Sequence, residues 1–151
     1  MSQSALPETP TLATVALANQ LRPTLLQINR HMRREALVHG ISPTQVSLLS
    51  TLARTPTITL SELALREGMT APTVSGHMNR LEDAGFITRS RATGDDRRRV
   101  AVTVTSAGEA ILATVREYRT AWLARQLATL APAERDAIEV ALAPLAKLVQ
   151  A

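Results

Sequence analysis

The densest chemistry in this 151-residue chain is the stretch "TGDDRRRVAVTVT", residues 93–105. Asp95 and Asp96 precede Arg97, Arg98 and Arg99, and an alternating valine pattern follows at once. A guanidinium is planar, permanently charged, and donates in a fork that matches phosphate oxygens or the outer edge of guanine. Side chains alternate along a strand, so the three arginines cannot all point the same way. One set can reach outward while the other faces sideways, and Asp95 or Asp96 is placed to hold an arginine and shape the turn. At a hairpin tip such a group suits the minor groove of DNA, where narrow A·T tracts concentrate negative potential. A solvated charge run is the plainer reading of the same residues.

A second group lies upstream in "TAPTVSGHMNR", residues 70–80. On a helical wheel Val74, Met78 and Leu81 fall on one side and belong in a core. Pro72, Gly76, Asn79, Arg80 and Asp83 face away, with Thr73 and Ser75 on the flanks. A helix that exposes small and hydroxyl residues in its first turns can enter a major groove, and Thr70, Thr73 and Ser75 can donate to phosphates or bases. The helix N-terminus itself attracts phosphate. Gly76 costs about 1 kcal/mol against alanine in a helix interior. It implies either close approach to DNA or simple tolerance of a small residue. His77, near the edge of the buried side, reads as packing rather than base contact.

Other chemistries fare poorly. The chain has no Cys, which excludes disulfides, thiolate catalysis and Cys-ligated zinc. No spacing suggests a Ser/His/Asp group or a glycine-rich phosphate loop, so the chain is not expected to be an enzyme or to carry a cofactor. His31, Glu35 and His39 share a helix face and could begin a metal site. Three ligands strung over two turns do not converge on one ion unaided, so no metal is expected. His39 beside Gly40 is also favoured by the negative end of its helix when protonated.

Composition sets the frame. The length allows one domain with a real core. Ala and Leu dominate, and there is a single Phe, Tyr and Trp, which favours packed helices over a β-sandwich. The net charge is only +4 and nearly all the basic charge is arginine, a bias that a GC-rich genome also produces. Distribution must therefore carry the argument. No apolar run approaches the roughly 18 residues of a membrane span, and "MSQSALPETPTL" lacks the basic start and apolar stretch of a signal peptide. A cytoplasmic protein without membrane contact is expected.

The elements that must position these groups are legible along the chain. Residues 1–11 read as a flexible arm. From Leu12 to about His39, Leu17, Leu21, Leu25, Ile28 and Met32 keep one helical face, with a kink or late start expected at Pro23 and a stop at Gly40. Ser42 and Gln45 form a capping box with Pro43 at the first helical position, and Val46, Leu49 and Ala53 are the expected buried face. Residues 55–59 read as a short extended strand. Thr59 and Glu62 box a short helix to about Arg66, a Gly turn follows, and a helix runs from Thr70 to about Ala84. Gly85 ends it. "FITRS" and "RVAVTVT" then make a hairpin with Val100, Val102 and Val104 on one face. A long helix from Thr105 carries the stripe Ile111, Val115, Tyr118 and Trp122. A last helix, 132–149, bends near Pro144.

This order, a helix-turn-helix followed at once by a β-wing, is the sequence pattern of a DNA-binding lobe. The segment "TLSELALREGMTAPTVSGHMNRLEDAGFITRSRATGDDRRRVAVTVTSAG" resembles the winged helix-turn-helix core of the MarR (multiple-antibiotic-resistance regulator) family. The specific part is "DDRRRVAVTVTSAG", similar to the family's wing of Asp-Arg-Arg, alternating strand and Thr-x-x-Gly. "RLEDAGFITR" and "SPTQVSLLSTLA" resemble the recognition helix's exit and the preceding helix, and the likeness spans nearly the whole chain from residue 12.

The resemblance implies a mainly α fold with a small β-wing: a winged helix-turn-helix core at about 42–105, flanked by N- and C-terminal dimerisation helices at about 12–39 and 106–150, in one domain, 12–151. It implies a homodimeric regulator of transcription, a repressor of a pseudo-palindromic operator in double-stranded DNA, released by a small aromatic or anionic ligand. Carried over, Thr70, Pro72, Thr73, Ser75, Gly76 and Arg80 match the DNA-facing recognition helix. Asp96 and Arg98 match the wing pair, with Arg98 the minor-groove residue. Asn79, on the same outward face, joins the helix set, and Arg97 and Arg99 join the wing set.

Three positions depart from the pattern. Gly76 stands where a basic residue is frequent, His77 where an aliphatic one is, and Ala131 where the last helix often has a Ser cap. Base preference is therefore not transferable. Arg30, His31 and Arg34, beside Arg33 on the first helix, are candidate effector contacts, with solvated charge the plainer reading of the arginines. Trp122, Leu123, Leu127, Leu130, Leu142 and Leu145 offer more apolar surface than one small lobe buries, which also points to a dimer. A non-specific architectural DNA-binding protein and a metal-responsive regulator are the alternatives. Steep salt dependence without sequence preference would mark the first, and zinc-dependent DNA affinity the second.

Overall fold

The computed structural model describes residues 9–38, 40–91 and 100–149. Six helices and one hairpin follow in order: α1 (Leu12–Val38), α2 (Pro43–Arg54), α3 (Leu60–Arg66), α4 (Ala71–Asp83), β1 (Ile87–Arg91), β2 (Val100–Val104), α5 (Ser106–Ala128) and α6 (Pro132–Lys147). The expected arm at 1–11 lies mostly outside the described residues, as does His39. Helix α1 continues through Pro23 without interruption, starting eleven residues before it, so no late start occurs.

The helix starts follow local chemistry. Ser42 Oγ accepts from the Gln45 amide at 3.1 Å while Gln45 Oε1 accepts from the Ser42 amide at 3.0 Å, closing the box ahead of α2. Thr59 and Glu62 repeat the arrangement at α3. At α6, Ala131 has no oxygen to offer, yet Glu134 still accepts the Ala131 amide at 2.8 Å and Pro132 occupies the first turn. Half a box is enough to start that helix where expected.

The core belongs to the middle of the chain. Ile41, Leu48, Leu49, Leu63, Val74, Met78, Leu81, Ile87 and Val115 are almost fully buried, with Val46, Leu52, Ala64 and Val102 around them. Helix α2 packs against α1, α4, α5 and β2. Contact on several sides buries Leu48, Thr51 and Leu52 along with Val46 and Leu49, and leaves Ala53 exposed, contrary to the expected face.

Residues 55–59 are a turn, not a strand. Pro56 occupies the second position, which its fixed φ suits, and the Ile58 amide donates to the Thr55 carbonyl at 3.1 Å. The sheet among the described residues is the two-stranded β1–β2 pair, antiparallel with Ile87 opposite Val104 and Arg89 opposite Val102. Val102 is buried and Val104 half-buried, as the alternation requires; the Val100 side chain lies outside the described set.

The outer helices are different. No described residue of α1 or α6 is buried, and α5 buries only Gly108 and Val115. Leu12, Leu17, Leu25 and Leu26 on α1, Leu123 on α5, and Ile138, Val140 and Leu142 on α6 are exposed. Among the described residues no helix is long and apolar enough to cross a membrane.

Candidate nucleic-acid interface

Helix α4 begins at Thr70, whose backbone is extended and whose Oγ1 accepts from the Thr73 amide. The two threonine hydroxyls lie 2.8 Å apart. Gly68, at φ +64°, lets the chain reverse between α3 and α4 in a conformation costly to any residue with a Cβ. Val74, Met78 and Leu81 each have no exposed surface and fix the rotation of α4 about its axis.

That rotation brings the sequence-predicted residues onto one outer face. Thr70, Pro72, Thr73, Gly76, Asn79 and Arg80 are exposed and Ser75 is half-buried. A Cβ built on Gly76 meets nothing within 4 Å, so nothing in the described structure requires glycine there. His77 is half-buried, and its Nδ1 is buried with no partner among the described residues, which places the ring on the packing side. The wing set, Asp96, Arg97, Arg98 and Arg99, lies outside the described residues.

Two polar residues that sequence reasoning did not single out join α4 to the hairpin. Arg89 on β1 donates through Nε to Glu82 Oε2 at 2.8 Å, and its Nη2 lies 2.6 Å from the same oxygen. Nη2 also donates to Asn79 Oδ1 at 2.5 Å. A side-on guanidinium thus ties the outer edge of α4 to the strand that leads into the wing.

The Thr-x-x-Gly part of the wing is structural. Thr105 Oγ1 donates to the Gly85 carbonyl at 2.6 Å and accepts from the Gly108 amide at 3.1 Å. A Cβ on Gly108 would overlap the Phe86 carbonyl oxygen and come within 2.8 Å of Val104 Cγ1. This close approach locks the exit of α4, the end of β2 and the start of α5 together.

Behind the interface, a cavity of about 690 Å3 opens between α1, α2 and α5. Arg33, Arg54, Arg116 and Arg119 line it together with Glu67 and Met69 from the turn ahead of α4. Burial, and secondarily the charge of Arg33, hold the Arg119 pKa below the ordinary arginine value. Arg119 Nε donates to the Met32 carbonyl at 3.1 Å. Glu67 accepts from Ser47 Oγ at 2.7 Å and from Thr51 Oγ1 at 2.8 Å, so α2 grips the turn through both carboxylate oxygens.

Of the predicted effector residues, Arg30 and Arg34 border a smaller cleft of about 370 Å3 with Leu26 and Leu37. His31 borders neither space; its ring stacks on Trp122 at 5.4 Å and 11°. Among the described residues no group of His, Asp and Glu is disposed to hold a metal. His39 and the Glu35 side chain fall outside that set.

A capped helix-turn-helix whose second helix turns a polar face outward, followed by an antiparallel hairpin, is a winged helix-turn-helix DNA-binding lobe. Comparison with known proteins agrees. The MarR family profile matches residues 41–100. An uncharacterized HTH-type transcriptional regulator of Mycobacterium bovis is 34% identical over 125 residues, covering 83% of this chain and 87% of that one. A Pseudomonas aeruginosa protein, solved as a candidate transcriptional regulator, superposes with a TM-score of 0.77 at 31% identity, covering 94% and 99% of the two chains. A variant of Staphylococcus aureus MepR bound to an oligodeoxyribonucleotide shares the fold, with a TM-score of 0.67 at 18% identity over 88% and 97% of the chains. The chain belongs to the MarR family: it is a DNA-binding transcriptional regulator and not an enzyme.

Proposed function

We propose that the protein works as a cytoplasmic homodimer that represses transcription from a pseudo-palindromic operator and lets go when a small anionic ligand binds. The observation that carries this reading is the outer face of α4. Thr70, Pro72, Thr73, Ser75, Gly76, Asn79 and Arg80 contribute nothing to the core, while the residues between them anchor the helix firmly. A rigid helix with small, hydroxyl and amide groups outward is what major-groove reading needs. In this reading Arg98 enters the minor groove, Asp96 holds it, and Arg97 and Arg99 meet phosphates. The MepR–oligonucleotide complex supports the use of this fold on DNA.

Dimerisation is supported by helices that lack a core of their own. Leu12, Leu17, Leu25 and Leu26 of α1, Leu123 of α5 and Ile138, Val140 and Leu142 of α6 remain exposed on one chain, and a second copy would cover them. The domain then divides into a DNA-binding lobe at about 42–105 and dimerisation helices at about 12–39 and 106–150. Two lobes related by a two-fold axis would read half-sites about one helical turn apart, ~10 bp.

The arginine-lined cavity supports an anionic effector. An anion there would offset the mutual repulsion of Arg33 and Arg119. Because Glu67 and Met69 form part of the same wall, occupancy would be felt at the turn that aims α4. Selection from a random duplex library at physiological salt tests the reading. An enriched palindrome is expected; binding without enrichment would instead favour a non-specific architectural protein.

A further inference from the structure

We propose that Arg89 makes Asn79 a donor-only reader of DNA, so that this position recognises a hydrogen-bond acceptor and not adenine's paired donor–acceptor edge. The inference rests on the reading that the outer face of α4 meets DNA. A free asparagine amide offers one acceptor oxygen and two N–H donors. It pairs bidentately with adenine, the oxygen accepting from N6 and the nitrogen donating to N7. Here one of the oxygen's two lone pairs is engaged, Oδ1 accepting from Arg89 Nη2 at 2.5 Å, and the guanidinium charge against it disfavours a second N–H donor such as adenine N6. Arginine only donates, so the contact fixes which end of the amide faces the guanidinium. The Nδ2 group is left outward on an exposed residue, with no partner among the described residues.

Glu82 makes the arrangement firm. Its Oε2 takes both Nε and Nη2 of Arg89, at 2.8 and 2.6 Å, and sets the guanidinium in the orientation that reaches Asn79. The Arg89 side chain is only 21% exposed, so water competes weakly for it. Arg89 is thus a positioning residue that acts on DNA through Asn79. The acceptors that the outward N–H groups can meet are a phosphate oxygen, purine N7, guanine O6 or thymine O4.

The experiment compares wild type with Asn79→Ala on the selected duplex, substituted one position at a time. Acceptors are deleted with 7-deazapurines, 2-aminopurine for guanine, 5-methyl-2-pyrimidinone for thymine, and methylphosphonates for phosphates. Donors are deleted with purine for adenine and 2-pyrimidinone for cytosine. We expect Asn79→Ala to weaken binding by roughly three- to ten-fold, the value of one net hydrogen bond. One acceptor deletion should cost wild type the same amount and cost the variant nothing; a methylphosphonate hit assigns a phosphate and any other hit a base. A donor deletion that behaves this way overturns the proposal, as does an Asn79→Ala variant that binds like wild type. A wild type with no preferred duplex overturns the DNA-reading assignment of α4 itself, and this proposal with it. In a second arm, Arg89→Met frees Oδ1, and adenine should become favoured at the mapped site only while Asn79 is present. The same shift in an Asn79→Ala background would make Arg89 merely structural.

Discussion

Replacing Gly76 with alanine should move stability and DNA affinity in opposite directions. Gly76 lies in the interior of α4, its φ is not positive, and an added Cβ meets nothing within 4 Å. The free protein should therefore gain the intrinsic alanine preference, about 0.8–1.0 kcal/mol. For a chain of this size that is roughly a 2–4 °C rise in Tm. On DNA the balance reverses. If the helix backbone at this position approaches the groove closely, a methyl group must displace the contact, at a cost on the scale of one mismatched base pair, about 1–3 kcal/mol. Thermal unfolding by circular dichroism and fluorescence anisotropy on the selected duplex, at one fixed salt concentration, measure the two effects. A higher Tm with unchanged affinity would refute close approach and leave Gly76 as a tolerated small residue. A lower Tm would refute the open surface around it.

Other outcomes follow from the same geometry. Gly108→Ala should destabilise by at least 1–3 kcal/mol, because the Phe86 carbonyl that it meets is backbone and cannot turn aside; an unchanged Tm would mean that the α5–hairpin junction is looser than described. Arg98→Ala should lower DNA affinity about ten-fold through loss of its minor-groove contact while leaving Tm unaltered. Retained affinity at moderate salt would remove the wing from the interface. Leu142→Asp places a charge on an exposed apolar face of α6 and should shift light scattering at micromolar concentration toward the monomer mass. A dimer that persists would place the interface elsewhere.

Much of the fold was legible because its signals are local. The capping residues Ser42, Thr59, Thr70 and Thr105 act on amides three residues ahead, a distance the sequence displays directly. Val74, Met78 and Leu81 keep helical spacing, so the outward set on α4 could be read by subtraction. Ala53 misled because its part of α2 borders the open cavity between α1, α2 and α5 and not the packed core. Residues 55–59 misled because β-prone threonine and isoleucine surround Pro56, and the proline's fixed φ decided for a turn. Arg89 was invisible because it joins a helix to a strand, seven residues from Glu82 and ten from Asn79, with no periodicity to mark it. Glu67 was missed for the same reason, its partners lying 16 and 20 residues away on another helix. The wing arginines stand out in the sequence, but they lie outside the described residues.

In the proposed function the outer face of α4, presented twice by a dimer, selects a DNA sequence. Titrating the protein into its selected duplex and into a scrambled duplex of equal length, at physiological salt, tests it most directly. Two protomers per duplex are expected, with an affinity at least about 10³-fold tighter for the selected one. Equal affinity for both duplexes, falling steeply with salt, would contradict this reading and reduce α4 and the wing to a basic surface that grips any DNA.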